Sequence, residues 1–117
     1  MGNHSTAAYV TVRATANNRI FSVGTGASLT ISRLNLTSGA PSTGHGGAVL
    51  VDGGQFDASF AAIWGNRVLA GGNGGAIYGG NGATVSLKNV VVSSNAASTG
   101  KGGGIFIEGS DSVLEIY

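Results

Sequence analysis

The chain repeats itself every 28 residues: Gly-Gly pairs stand at Gly46-Gly47, Gly74-Gly75 and Gly102-Gly103. Two coils apart, Gly24–Gly47 lies over Gly80–Gly103 without a gap, GTGASLTISRLNLTSGAPSTGHGG over GNGATVSLKNVVVSSNAASTGKGG. A fixed period in this range signals stacked structural units, each of which buries its apolar face against the next. Any fold for this chain must put equivalent residues in equivalent places, coil upon coil.

Within each period the apolar residues alternate in short runs, which is the spacing of strands rather than helices. The first runs are Arg19–Val23, Ala48–Val51, Ala76–Tyr78 and Gly104–Ile107. The second are Ser28–Ile31, Gln55–Ala58, Thr84–Leu87 and Val113–Ile116, and the third Leu34–Leu36, Ala61–Ile63 and Val90–Val92. Gly, Asn, Ser and Thr fill the gaps as turn formers. Tyr9–Val12 reads as one strand of an incomplete earlier coil. Helix is a poor competitor, because each Gly in a helix interior costs about 1 kcal/mol relative to Ala.

The expected fold is therefore all-β: a single-stranded parallel β-helix, or solenoid, with three short strands per coil of 28 residues and about four coils. The strong bias of parallel crossovers makes a right-handed winding the expectation. A single domain, 1–117, divides into a partial coil 1–17, coils 18–45, 46–73 and 74–101, and a partial coil 102–117. Three columns should stack inward: Phe21, Val49, Ile77 and Ile105; Leu29, Phe56, Val85 and Leu114; Leu36, Ile63 and Val92. One-residue adjustments between coils fall in turns, where insertions are tolerated. Neither end shows a polar cap, so the expectations are an excerpt of a longer solenoid or end-to-end self-association through the uncapped coils.

Composition narrows the function classes. Net charge is +1 and only 9% of residues are charged. With no basic run, a nucleic-acid partner is not expected. No apolar run reaches the ~18 residues of a membrane helix, so direct membrane insertion is not expected either. Cysteine is absent, which removes disulfides and thiolate metal sites and leaves the compartment open. The opening MGNHSTAAYVTV lacks the form of a signal peptide, so an export signal would lie outside this sequence.

Candidate chemistry is sparse. Asp52 and Glu108 each lie six residues past a Gly-Gly start, two coils apart on one column. That is ~9.6 Å at the strand spacing, near the upper limit for an inverting glycosidase pair. Gly80 stands between them with no basic partner, and solvated turn carboxylates are the plainer reading. Gly71–Gly82 fails as a calcium nonapeptide, since its Gly-Gly pairs are eight residues apart and no carboxylate is present. It also lacks the GK[ST] of a phosphate loop. His4 and His45 have no partners at ligand spacing. Neither a catalytic set, a metal nor a cofactor is expected.

Asn66 and Asn95 align, with Ser38 or Gly39 in their place one coil earlier, and read as a structural ladder that satisfies backbone amides. His45, Asn73 and Lys101 form a polar turn column. If the first column points inward, its neighbours Ser22, Leu50, Tyr78 and Phe106 point outward, and Trp64 follows inward Ile63. Leu50, Tyr78, Phe106 and Trp64 are thus candidate ligand-binding residues that could stack on sugar rings or a protein partner. The alternatives are a covering loop or domain, or rings that point inward. An ice-binding face would need regular threonine ladders, and Thr30, Asp57 and Ser86 are irregular. The sequons at Asn3 and Asn35 matter only in a eukaryotic secretory host.

The repeats resemble those of the chlamydial-type polymorphic outer membrane proteins and related autotransporter passengers, which pair GGA[ILV] with FxxN. Gly46–Val49 and Gly74–Ile77 match the first element, and Gly102–Ile105 is the variant GGGI. Ile63–Asn66 and Val92–Asn95 keep the spacing and the Asn, with an aliphatic residue where the family has Phe. The resemblance spans residues 18–117 and implies a right-handed, pectin-lyase-like β-helix on a secreted or surface-displayed, adhesin-like protein. Carbohydrate or a host or cell-surface protein would be its partner. The runner-up is a fragment of a carbohydrate-active lyase or hydrolase.

Overall fold

The computed structural model describes residues 9–117. His4, the Asn3 sequon and the first eight residues of the partial coil 1–17 lie outside the described residues. Those described form twelve strands and no helix: β1 (Val10–Arg13), β2 (Phe21–Val23), β3 (Ser28–Ser32), β4 (Leu34–Thr37), β5 (Val49–Asp52) and β6 (Gln55–Trp64), then β7 (Arg67–Val68), β8 (Ile77–Gly80), β9 (Thr84–Ser93), β10 (Ala96–Ala97), β11 (Ile105–Ile107) and β12 (Val113–Ile116). Every pairing is parallel. Strands about 28 residues apart stack into a β-solenoid of about 4 turns.

Three sheets run along the stack. One is β2-β5-β8-β11; a second is β1-β4-β6-β9-β12, with β3 also on β6; the third is β7-β10. The registers pair Phe21, Val49, Ile77 and Ile105 in one column and Leu29, Phe56, Val85 and Leu114 in another. Leu36, Ile63 and Val92 make the third. Val49, Ile77, Phe56, Val85, Leu36 and Ile63 are fully buried. Each such side chain contributes roughly 1.5–3 kcal/mol of burial. Phe21, Ile105 and Leu114 are partly open because each has a stacked neighbour on one side only.

The Gly-Gly pairs have a steric cause. Gly46, Gly74 and Gly102 adopt φ of 70°, 73° and 67°, which favours glycine. A Cβ on Gly47 would lie 2.0 Å from the carbonyl oxygen of Gly75, and one on Gly75 would lie 2.2 Å from that of Gly103. Successive backbones touch at this corner, and only hydrogen fits between them.

In two places the structure departs from the three-strand pattern. The second and third runs are not separate strands in the central coils; each pair fuses into one ten-residue strand, β6 and β9. A single left-handed residue lies within each, Phe60 at φ 51° and Asn89 at φ 55°. In the coil before, Arg33 at φ 59° divides β3 from β4. Such a residue adds one outward position, so inward Ala58 is followed by inward Ala61 rather than by residue 60. The ladder bends without breaking, and the Arg33 amide still donates to the Ser59 carbonyl at 3.2 Å. The third sheet comes instead from Arg67–Val68 and Ala96–Ala97, two-residue strands too short to carry a periodic signal.

Candidate functional site

The outward column next to the first apolar stack pairs Ser22, Leu50, Tyr78 and Phe106. It is not the solvent-facing stripe expected: Tyr78 is only 8% exposed, and Leu50 and Phe106 are half-buried. The His45 ring, from the turn one coil earlier, stacks on Tyr78 with centroids 4.3 Å apart and planes at 14°. Phe106, one coil later, follows at 5.9 Å and 19°. Tyr78 therefore has aromatic neighbours in both adjoining coils and offers little ring surface to a ligand.

Its hydroxyl is what reaches the surface chemistry. The ring lies over Gly80, where a Cβ would sit 2.7 Å from the hydroxyl oxygen, and the hydroxyl donates to the Glu108 carboxylate. Asp52, paired with Gly80 in register, accepts from Asn81 Nδ2 at 2.5 Å. Burial first, then the Glu108 hydrogen bond and the charges of Glu108 and Asp52, push the phenol up to about 12. Tyr78 thus keeps its proton and uses it in the hydrogen bond to Glu108. Beside it opens a polar cleft of about 360 Å³, lined by Tyr78, Asn81, Glu108 and Asp111 among others.

Trp64 ends β6, in a different sheet, 39% exposed. The fold does not bring it to the other three candidates. It brings it instead to Phe60, which the sequence reading passed over. Strict alternation from Phe56 would turn Phe60 inward, but the left-handed backbone turns it out, 40% exposed. The column Arg33–Phe60–Asn89, with two polar members, is the signal that could have revealed it. The Arg33 guanidinium lies 5.6 Å from the Phe60 ring centroid. Ala62 lies between Phe60 and Trp64 along β6, and its register partner on β9, Val91, is 62% exposed.

Two polar ladders tie these faces together. The Gly39 amide donates to Asn66 Oδ1 at 2.8 Å and the Asn66 amide to Asn95 Oδ1 at 2.9 Å, so Gly39 is the equivalent position one coil earlier. Asn66 Nδ2 donates to the carbonyls of Leu36 and Trp64, and Asn95 Nδ2 to those of Ile63 and Ser93. The second ladder runs the other way along the axis. His45 Nδ1 accepts from the Asn73 amide at 2.9 Å, and Asn73 Oδ1 accepts from the Lys101 amide at 2.8 Å. His45 here does the job of an asparagine. Among the described residues no group of three or more His, Cys, Asp or Glu could hold a metal ion, and no helix is long and apolar enough to cross a membrane.

Compared with known proteins, the chain matches no family model, no curated protein and no solved structure.

Proposed function

We propose that this chain is a repeat segment of a secreted or surface-displayed rod, of the polymorphic-outer-membrane and autotransporter-passenger kind, which makes contacts through its outer faces and performs no chemistry itself. The observation behind this reading is the pair Phe60 and Trp64, displayed at about 40% exposure on a frame whose central inward positions are closed. A globular domain gains nothing from leaving two aromatic rings and Val91 on one outer face; a binding rod does. The partner is carbohydrate or a protein of a cell surface. The test is adhesion of chain-coated beads to cells, with antibody labelling of intact source cells for display. Beads that adhere no better than uncoated ones, together with labelling only after lysis, would sink the reading.

A second reading has its own observation, the Asp52–Tyr78–Glu108 cluster beside the polar cleft. It would make the chain part of a carbohydrate-active lyase or hydrolase, with Asp52 and Glu108 as its carboxylate pair. Polysaccharide cleavage that disappears in Asp52→Asn and Glu108→Gln would establish this reading over the first.

A further inference from the structure

Charge is segregated along the sequence. The acids are Asp52, Asp57, Glu108, Asp111 and Glu115, so neither 9–51 nor 58–107 contains any. Within those segments, Arg33, Arg67 and Lys88 are exposed and border the Phe60–Trp64 face. Arg33 lies over Phe60. Lys88 precedes Asn89, the kink residue beside Phe60 in the next coil. Arg67 opens the short strand just past Trp64 and lines a cleft of about 400 Å³ with Ser38 and Gly65. At that end Arg13 Nη1 also donates to Ser38 Oγ at 3.2 Å. Two acids also border it: Asp57, which accepts from Gln55 Nε2 at 2.9 Å, lines a cleft of about 200 Å³ with Lys88, and Glu115 pairs in register with Ser86, so Arg33 and Arg67 are the cations clear of acids.

We propose that this face binds an anionic polysaccharide, a chain of sugar rings bearing carboxylates or sulfates. Phe60 and Trp64 are four residues apart on one strand, ~13 Å at a rise of ~3.3 Å per residue. Small Ala62 between them leaves the surface open beside the bend at Phe60. Pyranose rings present apolar faces that stack on such aromatics, while their acid groups meet Arg33 and Lys88 at one end and Arg67 at the other. A neutral glycan leaves the cations unused. A nucleic acid calls for a denser basic surface than a chain of net charge +1 supplies.

The inference rests on the binding-surface reading above and names the ligand class for it. The experiment is affinity electrophoresis of the full chain in gels containing heparin, alginate, dextran or single-stranded DNA. Heparin and alginate should retard the wild-type chain at physiological salt, and dextran should not. Phe60→Asn with Trp64→Ser should weaken that retardation at least tenfold with the circular-dichroism spectrum preserved and the melting temperature not lowered. Arg33→Gln with Arg67→Gln should flatten its salt dependence. Equal retardation by dextran, stronger retardation by DNA that the aromatic pair does not affect, or undiminished heparin and alginate binding in that pair would each overturn the proposal. Adhesive beads whose chain ignores both acidic glycans would overturn this inference and leave the rod reading standing; failure of adhesion as well would remove both.

Discussion

Asn95 Oδ1 accepts two hydrogen bonds from Asn66, one from its backbone amide at 2.9 Å and one from its side-chain Nδ2 at 3.0 Å. One carboxamide thereby clamps the preceding coil by main chain and side chain at once. Asn66 repeats the gesture toward Gly39 and Leu36, and it is fully buried. Main-chain bonds between coils continue on either side, from the Gly65 amide to the Ser94 carbonyl at 3.1 Å and from the Ala96 amide to the Asn66 carbonyl at 3.0 Å, and the side chain takes the one amide between them.

Removing Asn66 should expose that dependence. In Asn66→Ala the Gly39 amide loses its acceptor, and the carbonyls of Leu36 and Trp64 lose a donor, all beside a closed core. Each buried group left unpaired costs about 1–3 kcal/mol. Urea unfolding should show a loss of about 2–4 kcal/mol. A loss below about 1 kcal/mol would mean that water replaces the side chain without penalty, and that the ladder is not what joins the coils.

The Gly-Gly corner makes a second prediction. Gly47→Ala places a methyl 2.0 Å from the Gly75 carbonyl oxygen, a backbone atom in the next coil that cannot move alone. Overpacking of this kind costs at least about 1–3 kcal/mol, and here the coil spacing itself must open. Gly24→Ala is the control, because nothing lies within 4 Å of a Cβ there. Its melting temperature should be unchanged, while that of Gly47→Ala falls sharply. Equal behaviour of the two would show that coil contact is not why these glycines recur.

These two cases mark what the sequence could and could not disclose. The columns through Val49 and Phe56 were legible because stacking imposes the same demand on every coil, and a repeated demand leaves a repeated residue. The kink at Phe60 was hidden because it is set by one backbone torsion, which Arg, Phe and Asn all adopt in turn and which shifts the alternation by one position. The His45–Tyr78 stack was hidden for a different reason. It joins two different columns in neighbouring coils, a relationship that a search for like above like cannot find. Gly80 was visible as a gap between Asp52 and Glu108, but not that a tyrosine two residues away would lie across it.

Tyr78 supplies a pH signature. The phenol is raised from 10.0 to about 12 in the folded chain, chiefly by burial and then by Glu108. As pH rises past the unfolded value, the unfolded chain sheds this proton first. The stability due to the neutral phenol is therefore complete below about pH 10 and is lost as pH climbs toward about 12. Tyr78→Phe cannot ionise and keeps most of the ring packing. The stability difference between wild type and Tyr78→Phe should move in favour of the variant across that window, read by denaturation at a series of pH values. A difference that stays constant from neutral to strongly alkaline pH would show that the hydroxyl is not held as described.

Phe60 offers the sharpest separation of stability from use. Its column mates Arg33 and Asn89 share the left-handed conformation at φ 59° and 55°. Asparagine tolerates that region better than any residue but glycine, whereas for a bulky side chain it costs roughly 1–2 kcal/mol. Phe60→Asn places in the central coil the residue that the next coil already uses. The ring it removes is 40% exposed and lies outside the buried core, with the exposed Arg33 guanidinium over it, so only part of its burial is forfeited. The variant should be more stable than wild type by about 1 kcal/mol, measured by thermal or urea unfolding. A loss of more than about 1 kcal/mol would mean that the ring holds the sheet together, and would leave its strained placement without a binding rationale.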